Sequence, residues 1–163
     1  MIQWLTFGGA VTLLDQALKT EIEKLPDETF PHDIKDFCGL IRLYKNHNPG
    51  FSFGFFKEYP KIVEMVPACV CSAVFGVWAY AMTKRGKLLE KAALTLALAG
   101  GVSNLYDRMR RGYVVDYFCI RWKKLKEVVL NLGDVCIFAG STLFVMAQIL
   151  EEIGDLIPKK NQE

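Results

Sequence analysis

Three aspartates and two asparagines, set among apolar residues between positions 104 and 134, carry the chemistry this 163-residue sequence offers. Asn104 precedes Asp107 by three residues, and Asn131 precedes Asp134 by three. On a helix that spacing puts amide and carboxylate on one face. Asp116 stands between the two pairs, directly after Val114 and Val115. Carboxylates at the edge of apolar segments are costly and tend to mark function. Helix capping or loop polarity accounts for any one of them, because Asn and Asp favour both, but accounts poorly for the set. Two carboxylates brought close together in a low dielectric cannot both ionise, so they share one proton. The ionised partner can then take a proton from water while the protonated one polarises a carbonyl. That is the chemistry of an aspartyl peptidase. His32 and His47 are the two histidines, and both fall in loop-like sequence. No Ser–His or Cys–His arrangement therefore competes, and His47 reads as a turn residue rather than a base or a metal ligand.

The elements that must position these residues are apolar runs. Residues 65–82 are 18 in succession without a charge, enough for a transmembrane helix; a buried helix of a soluble domain is the other reading. Residues 2–14, 92–105 and 135–150 are also uncharged. The first continues through Asp15-Gln16-Ala17-Leu18-Lys19, where Lys19 can pair with Asp15 one turn earlier, either on a solvated face or near the membrane boundary. The pattern predicts four helices, near 2–20, 62–82, 88–107 and 133–153, with Leu94, Ala97 and Gly101 suited to close helix contact. Residues 20–60 differ. Pro26, Pro31, Pro49 and Pro60 break any long helix. Phe37–Tyr44 reads as a strand, Asn46–Gly50 as a turn, and Phe51–Phe56 as a second, aromatic strand, giving a small sheet at a membrane surface.

Connectivity puts the end of the third helix and the start of the fourth on one membrane side, with Asp116 in the connection between them. Asp116 and Asp134 can thus face each other at the bilayer edge. Both termini fall on the side of the 83–91 loop. Orientation does not follow from charge, because the 108–126 connection is more basic than that loop, although they lie on opposite sides. Some of its cations can neutralise the carboxylates or meet lipid phosphates.

Composition sets further bounds. Hydrophobic residues make up 52% of the chain and net charge is +2, so no nucleic-acid footprint is suggested. Mean hydropathy is +0.19. The five cysteines lack metal or redox spacing. Cys69, Cys71 and Cys136 read as small apolar residues, while Cys38 and Cys119 have no assigned role. The first residues lack a basic region and a cleavage site, so they do not read as a removable signal peptide. One domain, residues 1–163, is expected.

Five motifs now appear in order: Asp15-Gln16-Ala-Leu-Lys19, Asn48-Pro-Gly50-Phe51-Ser-Phe, Asn104-Leu-Tyr-Asp107-Arg108, Gly112-Tyr-Val-Val-Asp116-Tyr117 and Leu130-Asn131-Leu-Gly133-Asp134. In these the chain resembles the lipoprotein signal peptidases (signal peptidase II), membrane aspartyl peptidases of bacteria. That family has Asp-Gln-x-x-Lys, Asn-x-Gly followed by small residues and an aromatic, Asn-x-x-Asp-Arg, Gly-x-Val-Val-Asp-Phe and Phe-Asn-x-Ala-Asp.

The resemblance implies a mainly α membrane protein, a four-transmembrane-helix bundle with a small extracytoplasmic β-sheet between helices one and two. It implies a multi-pass protein of the bacterial cell membrane, with its active site near the extracytoplasmic side. Asp116 and Asp134 would be the catalytic pair. Asp15, Lys19, Asn48, Gly50, Asn104, Asp107, Arg108 and Asn131 would be supporting or substrate-contacting. The implied partners are lipidated prolipoproteins, cut just before a diacylglyceryl-cysteine, and membrane lipids; no cofactor or metal is implied. Asp107 is expected to hold the connection that carries Asp116. The chain departs from the family pattern at Phe51 (a small residue in the family), Ser103 (glycine), Gly133 (alanine) and Leu130 (phenylalanine), which bears on groove shape and efficiency. The alternatives are a non-cleaving paralogue that binds lipidated peptides and a soluble helical domain.

Overall fold

The computed structural model describes residues 1–34, 39–51, 54–122 and 128–156. Its helices are α1 (Ile2–Lys24), α2 (Pro60–Thr83), α3 (Leu88–Arg111) and α4 (Leu132–Leu156), and its strands are β1 (His32–Asp33), β2 (Ile41–Asn48) and β3 (Val114–Ile120). All four helices run past their expected ends. Pro60 opens α2 at a position where its missing N–H is harmless. Gly112, at φ 79°, closes α3 in the left-handed conformation that a Cβ would oppose.

The burial pattern is inverted relative to a water-soluble fold. The buried residues of α1 are Asp15, Lys19 and Ile22, and those of α3 include Lys91, Ser103, Asn104 and Asp107. Large apolar side chains such as Met65, Phe75 and Tyr80 on α2, and Phe138, Met146 and Ile149 on α4, face outward. Water would penalise that surface, whereas hydrocarbon favours it. Two helical segments, Pro60–Thr83 and Leu132–Gly154, are long and apolar enough to cross a bilayer. Helices α1 and α3 fall short of that standard because they carry more polar and charged residues, among them the buried Asp15, Lys19, Lys91, Asn104 and Asp107. The chain is thus a mainly helical membrane protein with a small sheet.

Helices α3 and α4 approach closely through small residues. A Cβ on Gly140 would lie 2.5 Å from the Ala93 carbonyl oxygen and 2.6 Å from the Ala97 nitrogen. Gly100 meets the backbone of Gly133 in the same way, whereas Gly101 faces Cys71 of α2. Trp78, Ala81 and Leu94 form an apolar cluster against Trp4. This places the start of α1 beside the end of α2. Lys87 bonds Glu151 at 3.0 Å, so the 83–91 loop and the last turns of α4 share that end of the bundle too.

The sheet occupies the other end, in the order β1-β2-β3 and antiparallel throughout. Two strands lie between α1 and α2, and the third comes from the α3–α4 connection. Of the aromatic segment expected as a strand, the described residues 51 and 54–56 are not in one. Phe51 N–H donates to Phe55 O (2.8 Å) and Gly54 N–H to Phe51 O (2.9 Å), and Gly54 and Phe56 take positive φ. Gly54 and Phe55 are thus folded back onto Phe51. A Cβ on Gly50 would lie 2.5 Å from the Gly54 carbonyl carbon, so this fold-back closes only over glycine. The expected turn at 46–50 is also corrected. β2 runs through Asn48, so His47 sits on a strand, paired with Val115 and bonded to Glu23 at 2.7 Å. Phe37 and Cys38 lie outside the described residues, as do Ser52, Phe53, Lys123, Lys124, Lys126, Lys159 and Lys160.

Two cations of the basic 108–126 stretch are neutralised locally. Arg111 pairs with Asp107 at 3.0 Å and Arg121 with Asp33 at 3.3 Å. Among the cysteines, Cys136 and Cys119 are buried, Cys71 is half-buried and Cys69 is exposed on α2.

Candidate functional site

The site is built where β3 meets the start of α4. On β3, Val115 and Tyr117 pack with Ile22 of α1 into an apolar cluster. Asp116, between them, points the other way because strand side chains alternate. Leu130 pairs with Phe118, accepting from and donating to its backbone. That contact delivers Asn131 and α4 alongside Asp116.

Asn131 and Asp134 form a capping box. Asp134 N–H donates to Asn131 Oδ1 (2.8 Å), and Asn131 N–H donates to Asp134 Oδ2 (3.1 Å). Each satisfies a backbone donor of the first helical turn. Capping and site chemistry, which compete when the sequence is read alone, are here the same two residues. Asn131 is fully buried, and its Nδ2 also donates to Asp116 Oδ1 at 2.7 Å. One residue thus bridges the two carboxylates, holding Asp116 with its side chain and Asp134 with its backbone N–H. Asn48 Nδ2 donates to the other oxygen of Asp116 (3.2 Å), and Asn104 Nδ2 donates to Asp134 Oδ1 (2.8 Å).

Behind this layer lies a buried ionic layer. Lys19, with no exposure, reaches Asp15 at 2.8 Å, Asp107 at 3.1 Å and Asn104 Oδ1 at 2.7 Å. Its pairing with Asp15 is therefore interior, not on a solvated face. Asp107 also accepts from Arg111, from Gln16 Nε2 (3.1 Å) and from the Val115 N–H (3.2 Å). The Asp107 carboxylate thus grips the backbone one residue before Asp116. Two cations and two anions balance formally in this layer, which is the condition for keeping ions there.

Asp116 and Asp134 line one cavity of about 620 Å³, together with Asn48, Phe51, Asn104 and Arg108. Its walls are otherwise mostly apolar, from Val66 and Val70 of α2 to Ile137 and Phe138 of α4. Burial, and then the nearby Asp134 carboxylate, push the Asp116 carboxyl from 3.8 up to about 6, against the opposing pull of the Asn131 and Asn48 hydrogen bonds. Arg108 donates to Gly50 O at 3.1 Å and to Asn104 O at 3.3 Å, and its guanidinium stands 6.0 Å from the centre of the Phe51 ring.

The structure brings together every site residue expected from the sequence: Asp15, Lys19, Asn48, Gly50, Asn104, Asp107, Arg108, Asp116, Asn131 and Asp134. It adds Gln16, Ser103, Tyr117 and Gly133, which were not on that list. Ser103 and Gly133, expected to shape a groove, lie instead around Asp15; Phe51 and Leu130 do line the cavity. The sequence signal for Ser103 and Gly133 was the departure itself. For Tyr117 it was one hydroxyl more than phenylalanine.

The fold and site define an inside-out helical membrane protein that holds a pair of carboxylates in an apolar-walled cavity. A family model described as signal peptidase (SPase) II matches residues 8–150, and the chain belongs to that family. Relatives include the lipoprotein signal peptidases of Teredinibacter turnerae, 30% identical over 147 residues (88% of this chain, 85% of that one), and Geobacter sulfurreducens, 30% identical over 144 residues (86% and 87%). A solved bacterial membrane enzyme shares the fold with TM-score 0.81 at 18% identity, covering 99% of this chain and 96% of its own.

Proposed function

We propose that this chain is an aspartyl endopeptidase that removes signal peptides from prolipoproteins, cutting before a diacylglyceryl-modified cysteine. The observation that carries the reading is the pair Asp116 and Asp134, supplied by different elements, bridged by Asn131 and opening on one apolar-walled cavity. The pair holds one proton. The ionised carboxylate removes a proton from water as its oxygen attacks the scissile carbonyl, and the protonated carboxyl donates to the carbonyl oxygen. The tetrahedral intermediate collapses with cleavage of the C–N bond as the first carboxyl gives its proton to the leaving nitrogen and the second carboxylate takes back the hydroxyl proton, so the pair again holds one proton. Asn48 and Asn104 fix the carboxylate oxygens that Asn131 does not. Arg108 lines the cavity beside the pair and holds the Gly50 and Asn104 carbonyls with its two terminal nitrogens. Asp15, Lys19 and Asp107 position the layer in front of them. The apolar walls suit acyl chains and the hydrophobic part of a signal peptide, with all four helices crossing the bilayer as one domain, residues 1–163.

Incubation with a prolipoprotein peptide carrying a diacylglyceryl cysteine, and with the same peptide unmodified, tests this by mass spectrometry. Cleavage at the bond preceding the modified cysteine, and in that peptide alone, is expected. Equal cutting of both peptides, or binding of the lipidated one without cutting, refutes the reading.

A further inference from the structure

Asp15 of α1 lies one layer behind the cavity, yet three other elements converge on it. Ser103 Oγ of α3 donates to Asp15 Oδ2 at 2.6 Å. Tyr117 OH of β3 donates to Asp15 Oδ1 at 3.1 Å, and the same hydroxyl accepts from the Leu132 N–H, in the first turn of α4, at 3.0 Å. Burial and the Asp15 carboxylate raise the Tyr117 hydroxyl well above its ordinary value, so it remains a donor. Gly133, the next residue of α4, lies against the same group. A Cβ there would stand 3.1 Å from Asp15 Oδ2, 3.0 Å from Asn131 Oδ1 and 3.1 Å from Asn104 Oδ1. All three oxygens already accept hydrogen bonds, from Ser103 and Lys19, from Asp134 and from Lys19 respectively. Room at 133 and the hydroxyl at 103 therefore bear on one and the same oxygen of Asp15.

We propose that Ser103, Tyr117 and Gly133 form one compensated positioning set. Two hydroxyls clamp the two oxygens of Asp15, and the missing side chain at 133 leaves space for that clamp against the first turn of α4. Through Leu132 and the Asn131 cap, the set fixes where Asp134 stands relative to Asp116. Ser103 and Gly133 are two of the departures noted in the sequence, and the geometry joins them to Tyr117 at one carboxylate. None of the three lines the cavity, so the set acts on the turnover step and not on substrate affinity. The inference rests on the peptidase reading for its kinetic arm only.

The test is a mutant cycle read in kcat, KM and thermal unfolding midpoint. Gly133→Ala alone is expected to lower kcat about tenfold, because small misplacements of reacting groups are costly, with KM within about twofold. Adding Ser103→Gly frees Asp15 Oδ2 to move off the new methyl and recovers most of that loss, the non-additivity expected of residues in contact. Tyr117→Phe is expected to lower kcat about fivefold and leave KM unchanged, on the same positioning ground. The triple variant Ser103→Gly, Tyr117→Phe, Gly133→Ala should exceed the product of the single effects at least tenfold in kcat. Losses that simply multiply, or losses in KM with kcat intact, overturn the proposal. Should Gly133→Ala fail to fold, the triple variant carries the test: folded and turning over supports the set, unfolded overturns it. If the wild-type chain cleaves no lipidated peptide, the peptidase reading fails. The set is then judged on unfolding midpoints alone, where recovery of Gly133→Ala by Ser103→Gly supports it and additive losses overturn it.

Discussion

Replacing Asn131 by alanine should move the pH dependence of the dyad as well as weaken the protein, and the structure gives the size of both effects. Alanine keeps the backbone N–H that donates to Asp134 but removes two side-chain bonds. Losing the cap on the Asp134 N–H costs about 1 kcal/mol. Losing the 2.7 Å bond to Asp116 costs roughly 1.5–3 kcal/mol, and only while that carboxylate is charged. The second loss therefore favours protonation of Asp116, and roughly 1.4 kcal/mol corresponds to one pH unit. In the wild-type chain the Asp116 carboxyl is raised to about 6 with Asp134 ionised beside it, so the shared proton leaves near that pH. The wild-type kcat/KM should fall above about pH 6, and in Asn131→Ala that limb should move up by about one to two pH units, below a reduced maximum. The assay is cleavage of a fluorogenic lipopeptide in detergent from pH 4.5 to 9, with thermal unfolding at pH 5 and pH 8. Superimposable limbs in the two proteins, or an unfolding loss equal at both pH values, would exclude this role for the Asn131–Asp116 bond.

Other outcomes follow from the same geometry. Asp107→Asn keeps the shape but weakens the grip on Lys19 and Arg111, so turnover should fall partially, about tenfold, with a lowered unfolding midpoint; complete loss of turnover in folded protein would give Asp107 a different role. Phe51→Ala enlarges the cavity beside Asn48 and Arg108 and should widen the range of signal peptides cut; an unchanged substrate profile counts against it. Asp116→Asn bears on stability. A carboxyl raised from 3.8 to about 6 stabilises the fold fully below pH 3.8, and that contribution, roughly 3 kcal/mol, is lost as pH rises through 6. The unfolding midpoint of the wild type should therefore drop between pH 4 and pH 7 relative to Asp116→Asn, and parallel profiles would exclude it.

The four helices were legible because uncharged runs have a direct physical meaning in a membrane, and the ordered motifs brought the ten expected site residues together. What sequence could not supply was the choice between partners. The Asn131-x-x-Asp134 spacing fits a shared helix face and a capping box equally well, and only the delivery of the chain by Leu130 at β3 decides for the box. The aromatic segment 51–56 alternates like a strand, but Gly54 and Phe56 turn it back on Gly50. His47 reads as a turn because Asn48-Pro49-Gly50 follows, yet β3 supplies a strand partner from more than sixty residues away. Gln16 and Tyr117 stand in the motifs without an evident role, because helical and strand patterns say which face a residue takes, not which carboxylate its polar tip reaches.

The central claim is that Asp116 and Asp134 act as one catalytic unit. Its most direct test measures cleavage of a lipidated prolipoprotein by wild type, Asp116→Asn, Asp134→Asn and the double variant, each shown to be folded in detergent. Both single variants should fall to background and the double variant should lose nothing further, since residues that act as a unit are non-additive. Substantial cleavage by folded Asp116→Asn or Asp134→Asn would contradict it.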